Sequence, residues 1–210
     1  MVEEPANIVR VVVGISGASG AVYGIRSLEV MKELGMETHL VITRAAEETI
    51  RLETDFKVAE VRRLASEVHN VNDVTSKIAS GSYHTDGMIV IPCSMKTVAG
   101  IASGYSDNLL LRAADVTLKE RRPLVLVVRE TPLSLIHLEN MVTLTRAGAV
   151  VLPAMPAFYN RPKTVKALID QVVGKTLDAV GVDHDLFKRW GSAGAAPRKE
   201  SRRAHASAKT

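Results

Sequence analysis

Four short apolar runs in the chain each give way to a polar cluster. Residues 8–15 end at Ser16-Gly17-Ala18-Ser19-Gly20. Residues 88–91 end at Pro92-Cys93-Ser94-Met95-Lys96-Thr97, and residues 124–128 at Arg129-Glu130-Thr131-Pro132. Residues 150–152 lead into Pro153 and then Ala157-Phe158-Tyr159-Asn160-Arg161-Pro162. Runs this apolar and β-branched read as parallel strands buried on both faces. The pattern predicts strands at 8–15, 38–43, 87–91, 124–128 and 150–152. It predicts helices at 21–34, 44–53, 58–67, 97–103, 109–119, 134–146 and 164–180, with a loop region of short helical pieces between 67 and 84. Strands alternating with helices imply right-handed crossovers and a three-layer α/β/α sandwich around a parallel sheet. Ligands of open α/β sheets sit outside the carboxyl ends of the strands. The four clusters are therefore expected to converge on one crevice holding a Gly-rich turn, hydroxyls, cations, a carboxylate and a phenol. That inventory suits a phosphorylated ligand and acid–base chemistry.

Length and composition narrow the class. The 210 residues suit one α/β domain, and 46% hydrophobic with 24% charged residues is ordinary for a globular protein. No apolar stretch approaches the roughly 20 residues of a membrane span. The start, Met1-Val2-Glu3-Glu4-Pro5, is acidic and lacks the regions of a signal peptide. One cysteine gives no internal disulfide, so the expected compartment is a reducing cytoplasm. The formal charge of +4 resides in residues 192–210, where Arg198, Lys199, Arg202, Arg203 and Lys209 face only Glu200. Residues 1–191 are thus one neutral domain, and 192–210 read as a basic, disordered, solubilising tail. With only 4% aromatics, a base-stacking platform for nucleic acid is not expected.

The first turn, Gly14-Ile15-Ser16-Gly17-Ala18-Ser19-Gly20, leaves a strand and opens a helix, as phosphate-binding turns do. Its glycines are spaced G-x-x-G-x-x-G, so the dinucleotide fingerprint G-x-G-x-x-G is absent, and no G-K-[ST] follows. A mononucleotide such as FMN fits better; a plain tight turn is the alternative. Ser94 reads as a ligand contact or a helix N-cap. Cys93 reads as a small buried residue rather than a nucleophile. The six histidines show no H-x-x-x-H pairing and the lone cysteine no C-x-x-C, so the spacing indicates no metal site.

The helix at 109–119 is apolar almost all round, yet Arg112, Asp115 and Lys119 share one stripe. Charges on a buried helix are either paired or used. Arg129-Glu130 follows the most apolar strand. An arginine there can grip a phosphate in a fork. A glutamate beside apolar walls can act as an acid or base, or it can serve the dipole of the next helix.

Taken together, these residues resemble the UbiX-type flavin prenyltransferases across about residues 8–190. The resemblance rests on the 14–20 turn, Leu52-Glu53-Thr54-Asp55, the 92–97 loop, Arg112-Ala113-Ala114-Asp115 and residues 118–126. It continues through Arg129-Glu130-Thr131-Pro132, Ile136-His137-Leu138-Glu139-Asn140-Met141 and 156–162. It implies a flavodoxin/Rossmann-like sandwich, assembly as a homododecamer with pockets between subunits, and prenylation of reduced FMN by dimethylallyl monophosphate. The prenylated FMN would go to a UbiD-type decarboxylase. It also implies roles. Gly17, Ala18, Ser19, Thr43, Ser94, Met95, Lys96, Thr97 and Arg129 would hold the flavin. Arg112, Lys119, Arg129, Tyr159 and Lys175 would hold the substrate phosphate, and Glu130, Glu53 and Ser19 would be catalytic. Lys175 stands where the family usually has arginine, which keeps the charge and loses the bidentate fork.

The implied chemistry needs negative charge stabilised on a departing phosphate. The chain has no D-D-x-x-D to hold Mg²⁺, and Arg129, Lys119, Lys175 and the Tyr159 hydroxyl can supply that stabilisation without metal. Attack by flavin nitrogen 5 and closure onto carbon 6 require a proton to leave, and Glu130 or Glu53 is the natural shuttle. Three competing readings differ in chemistry: a flavin-dependent cysteine decarboxylase, a direct aromatic-acid decarboxylase, and a non-catalytic FMN carrier. The first would carry Pro-Ala-Ser-Ala-Asn-Thr, which is absent.

Overall fold

The computed structural model of the chain describes residues 9–191. The basic tail and the first residue of the expected opening strand lie outside them. Six strands and seven helices follow in order: β1 (Arg10–Ile15), α1 (Ala21–Glu33), β2 (Glu37–Ile42), α2 (Arg44–Glu53), α3 (Val58–Arg62) and β3 (Glu67–His69). After a 3-10 turn at Lys77–Ala79 come β4 (Gly87–Cys93), α4 (Met95–Ala102), α5 (Leu109–Lys119), β5 (Leu124–Val128), α6 (Leu135–Arg146), β6 (Val150–Pro153) and α7 (Val165–Ala179). All strand pairs are parallel, in the order β3-β2-β1-β4-β5-β6. Chain direction across the sheet reverses between β1 and β4, the place where doubly wound sheets open a crevice.

The apolar runs are buried on both faces because successive side chains of a strand point to opposite sides. Val11, Val13 and Ile15 of β1, Ile89 and Ile91 of β4, and Val125 and Val127 of β5 pack under α1, α2 and α7. Val12, Met88, Val90, Leu124, Leu126 and Val128 pack under α4, α5 and Leu144 of α6. This is the expected three-layer sandwich. Helix α5 is buried as its composition implies, with Leu109, Leu110, Leu111, Ala113, Ala114 and Val116 inside. Among the described residues no helix is long and apolar enough to cross a membrane.

Three expectations need correction. The helix expected at 58–67 stops at Arg62, and Glu67–His69 forms a sixth strand on β2. Reciprocal hydrogen bonds seat its start: the Thr38 amide donates to the Ser66 hydroxyl at 3.0 Å, and the Ser66 amide donates to Thr38 Oγ1 at 3.1 Å. The strand expected at 87–91 continues through Pro92 to Cys93, past a bulge after Val90. Helix α4 accordingly starts at Met95 rather than Thr97, because the Ser94 hydroxyl accepts the Thr97 amide as an N-cap.

Candidate active site

The β1–α1 turn and the β4–α4 loop meet at the sheet reversal, and one buried hydroxyl joins them. Ser16 Oγ donates to the Pro92 carbonyl at 3.1 Å and accepts the Ser94 amide at 2.8 Å, while the Ser16 amide also donates to Pro92 at 3.2 Å. Beside this junction opens a cleft of about 500 Å³, within the usual range for small-ligand sites. Gly17, Thr43, Arg44, Ala45, Ser94, Met95, Lys96, Thr97, Asn108 and Glu130 are among its walls. The structure thus brings Gly17, Thr43, the 94–97 loop and Glu130 to one place.

Three helices begin at this cleft. Thr43 caps α2 by accepting the Ala46 amide, Ser94 caps α4, and Asn108 caps α5 by accepting the Leu111 amide. All three caps line the cavity. Each helix start carries partial positive charge; Arg44 and Lys96 add two cations and Asp107 and Glu130 two carboxylates, so it is the helix starts that suit the cleft to a phosphate. Gly17 leaves room for this convergence: a Cβ there would lie 2.4 Å from that of Ala45.

The start of α1 differs. Its first amides are already engaged by an internal anion, since Glu53 Oε2 accepts from Gly20 N at 2.7 Å and Ala21 N at 3.1 Å. Burial alone would raise the Glu53 pKa. The Ser19 hydroxyl, the two amides and the positive Arg129 outweigh it, so the net shift is downward. Glu53 is therefore ionised at neutral pH. A depressed pKa in the fold means stability present above the ordinary value of 4.5 and lost as pH falls through the lower folded value. The melting temperature should fall along this acid limb, and Glu53→Gln should flatten its own share of that fall. An unchanged limb in the variant would show that the capping contributes nothing.

Arg129 reaches the same neighbourhood from β5, and its amide donates to the Cys93 carbonyl at 3.2 Å. Ser19, Glu53 and Arg129 thus form a group at the α1 start, next to the cleft. Cys93 is fully buried and its thiol pKa is pushed up by that burial, which fits an inert core residue.

Ala18 is buried within the first turn, its amide donating to the Ser16 carbonyl at 2.8 Å, and it and the four remaining candidates do not line the cleft within one chain. Arg112 pairs with Asp115 at 2.7 Å and donates to the Ala79 carbonyl, so the α5 stripe is an internal ion pair here. Lys119 pairs with Glu120 and borders an open depression of about 760 Å³ at the opposite, amino end of the strands. Although larger, that depression is set against strand starts and lacks the convergent caps of the cleft. Tyr159 packs edge-on against Trp190 with ring centroids 5.3 Å apart, and Lys175 pairs with Asp178. Conversely, sequence reasoning passed over Arg44, Val71, Asn72, Asp107 and Asn108, which line the cleft. Asn108 was detectable as an N-cap residue directly before an apolar helix.

Comparison with known proteins agrees with this architecture. The Flavoprotein family model matches residues 2–181. Flavin prenyltransferase UbiX of Thauera aromatica is 55% identical over 181 residues, spanning 86% of this chain and 93% of that protein. The chain belongs to the UbiX-type flavin prenyltransferases. Flavin prenyltransferase UbiX of Escherichia coli K12 is 53% identical, covering 86% of this chain and 97% of its own. Among solved structures, AnUbiX (PadA1), in complex with FMN and dimethylallyl pyrophosphate, superposes with a TM-score of 0.86 at 54% identity. That match covers 88% of this chain and 98% of that one. A dodecameric FMN-dependent UbiX-like decarboxylase from E. coli O157:H7 gives 0.85 at 52% identity, over 86% and 98%. An FMN-dependent cysteine decarboxylase, TvaF, shares only the fold with this flavin prenyltransferase, at 17% identity and a TM-score of 0.56.

Proposed function

We propose that the cleft seats FMN with its phosphate toward the starts of α2, α4 and α5, and that the chain joins a dimethylallyl group to the reduced flavin there. The observation that carries this reading is the convergence of Gly17, the Ser94–Thr97 loop and Glu130 on one cleft with three capped helix starts. Its volume suits a flat ring with a phosphate tail, and Gly17 lets the start of α2 close in as one of its walls. Flavin nitrogen 5 supplies the nucleophile when reduced FMN is bound. The residues supply the rest. Glu130 takes the proton released on ring closure, and Arg129 with neighbouring cations holds the departing phosphate.

Arg112, Lys119, Tyr159 and Lys175 lie away from the cleft in one chain. They serve it from neighbouring copies in a homododecamer. Supporting this assembly, the chain exposes large apolar side chains where the family motifs lie: Leu135 at 69%, Ile136 at 68% and Phe158 at 69%. The solved E. coli O157:H7 relative is itself dodecameric. The donor proposed is dimethylallyl monophosphate, since a monophosphate leaving group needs fewer charges than the pyrophosphate in the AnUbiX complex. The product would serve a UbiD-type decarboxylase. The proposed compartment is the cytoplasm, which fits a single buried cysteine.

The deciding experiment is anaerobic turnover of reduced FMN with dimethylallyl monophosphate, read by mass spectrometry. A flavin heavier by one dimethylallyl unit is expected. Unmodified flavin there, with carbon dioxide released when an aromatic acid is supplied in a parallel assay, would establish direct decarboxylation instead. Tight FMN binding with neither product would indicate a carrier.

A further inference from the structure

Folding brings two of the scattered histidines together, far from any spacing that marks a metal motif. His39 of β2 lies in register with Glu67 of β3, and His69 lies two residues further along. His39 Nδ1 faces His69 Nε2 at 2.9 Å; Glu67 Oε2 lies 3.7 Å from the first nitrogen and Glu67 Oε1 3.7 Å from the second. The ligand atoms of all three residues lie within 4.8 Å of one another. The His39 side chain is fully buried and that of His69 is 7% exposed, whereas Glu67 opens to solvent at 44%.

The outer nitrogens are also organised. Glu37, ion-paired with Arg10 at 2.8 Å, accepts from His39 Nε2 at 2.9 Å. An ionised carboxylate only accepts, so the hydrogen of His39 sits on Nε2 and its Nδ1 presents a lone pair to His69. His69 Nδ1 is held by the Ser76 hydroxyl at 2.8 Å. A carboxylate and a hydroxyl on the outer nitrogens are the supports that orient metal-binding histidines. A single proton on His69 Nε2 can satisfy the histidine pair. It does not by itself engage the Glu67 carboxylate, which brings one oxygen toward each inner nitrogen. A divalent cation accounts for all three donors. Tetrahedral zinc, with bonds of about 2.0–2.2 Å, spaces its donors by roughly 3.3 Å, which falls between the 2.9 Å of the histidine pair and the 3.7 Å from each inner nitrogen to its nearer Glu67 oxygen.

We propose that His39, His69 and Glu67 form a zinc-type divalent metal site that clips the edge strand β3 to β2. Its role is structural and it takes no part in prenyl transfer. Strand β3 has only three residues, and Val71 and Asn72 just beyond it line the cleft. Clipping β3 fixes that wall. Lys77, which pairs with Glu67 at 2.5 Å, is itself 40% exposed. It can release the carboxylate by swinging into solvent, at the small cost of one surface ion pair.

The test uses tag-free, chelator-treated full-length protein titrated with ZnCl₂ by calorimetry and with CoCl₂ by visible absorption. One ion per chain is expected, with the intense visible bands of four-coordinate Co²⁺ and a rise in melting temperature. Glu67→Gln, at a solvent-facing position, should keep the circular dichroism spectrum and weaken binding by at least about 10-fold. His69→Asn should abolish it, and Lys77→Met should strengthen it. Absence of binding, or affinity unchanged in both Glu67→Gln and His69→Asn, would overturn the proposal and leave a hydrogen-bonded histidine pair. Neither result bears on the turnover assay, so this site and the proposed function fail separately.

Discussion

Glu130→Gln should leave FMN affinity within a few-fold of the parent and slow prenyl transfer by roughly 10²–10⁴-fold, the usual scale for a lost acid–base group. Glu130 stands on the cleft wall, and its Oε1 accepts the Thr131 amide at 3.0 Å. Glutamine keeps that acceptor and the side-chain volume and removes only the ionisable group. The contrast between unchanged binding and slowed chemistry is the signature sought, measured by flavin fluorescence quenching and single-turnover mass spectrometry. Loss of FMN binding would instead mark Glu130 as a structural carboxylate. Normal turnover would shift the proton-transfer role to Glu53.

Gly17→Ala should act on binding rather than on chemistry. The added methyl group would lie 2.4 Å from Ala45 Cβ, 3.2 Å from its carbonyl carbon and 3.4 Å from its Cα. These atoms belong to the first turn of α2 and cannot swing aside as a flexible side chain would. Either the first turn or the start of α2 must move, and both form cleft walls. Overpacking of this kind costs about 1–3 kcal/mol. If it falls on the bound state, FMN affinity drops by roughly 5- to 150-fold. Fluorescence titration measures this directly, and thermal melts separate it from a global loss of stability. Affinity equal to that of the parent would remove the first turn from the flavin site.

Much of this architecture is legible along the chain because buried parallel strands are apolar on both faces. The run at 124–128 coincides with β5, and helix α5 follows from its Leu-rich pattern. Strand β3 is not legible. Three residues carry no periodicity, and what makes Glu67–His69 a strand is its docking on β2 through Ser66 and Thr38. The same gap hid Val71 and Asn72 from the list of cleft residues. The first turn was legible as a ligand site, but not that Glu53 would occupy the adjoining helix start. That capping depends on α2 returning across α1, a tertiary fact with no local signal. The pairing of His39 with His69 across two strands has no local signal for the same reason.

That internal carboxylate makes the crevice electrically lopsided. On the side of the first turn, Glu53 already neutralises the amides at the start of α1. On the far side, three helix starts with Arg44 and Lys96 offer positive potential, opposed there, among the described residues lining the cleft, by Asp107 beside the α5 cap. A molecule with an anionic tail and a neutral ring therefore meets a field with a preferred polarity before any contact forms. It enters tail-last toward the carboxylates at an energetic penalty and tail-first toward the helix starts with a gain. The ring is then left among Glu53, Arg129 and Glu130. Orientation is in this sense selected at the entrance, by where the protein has placed its own negative charge.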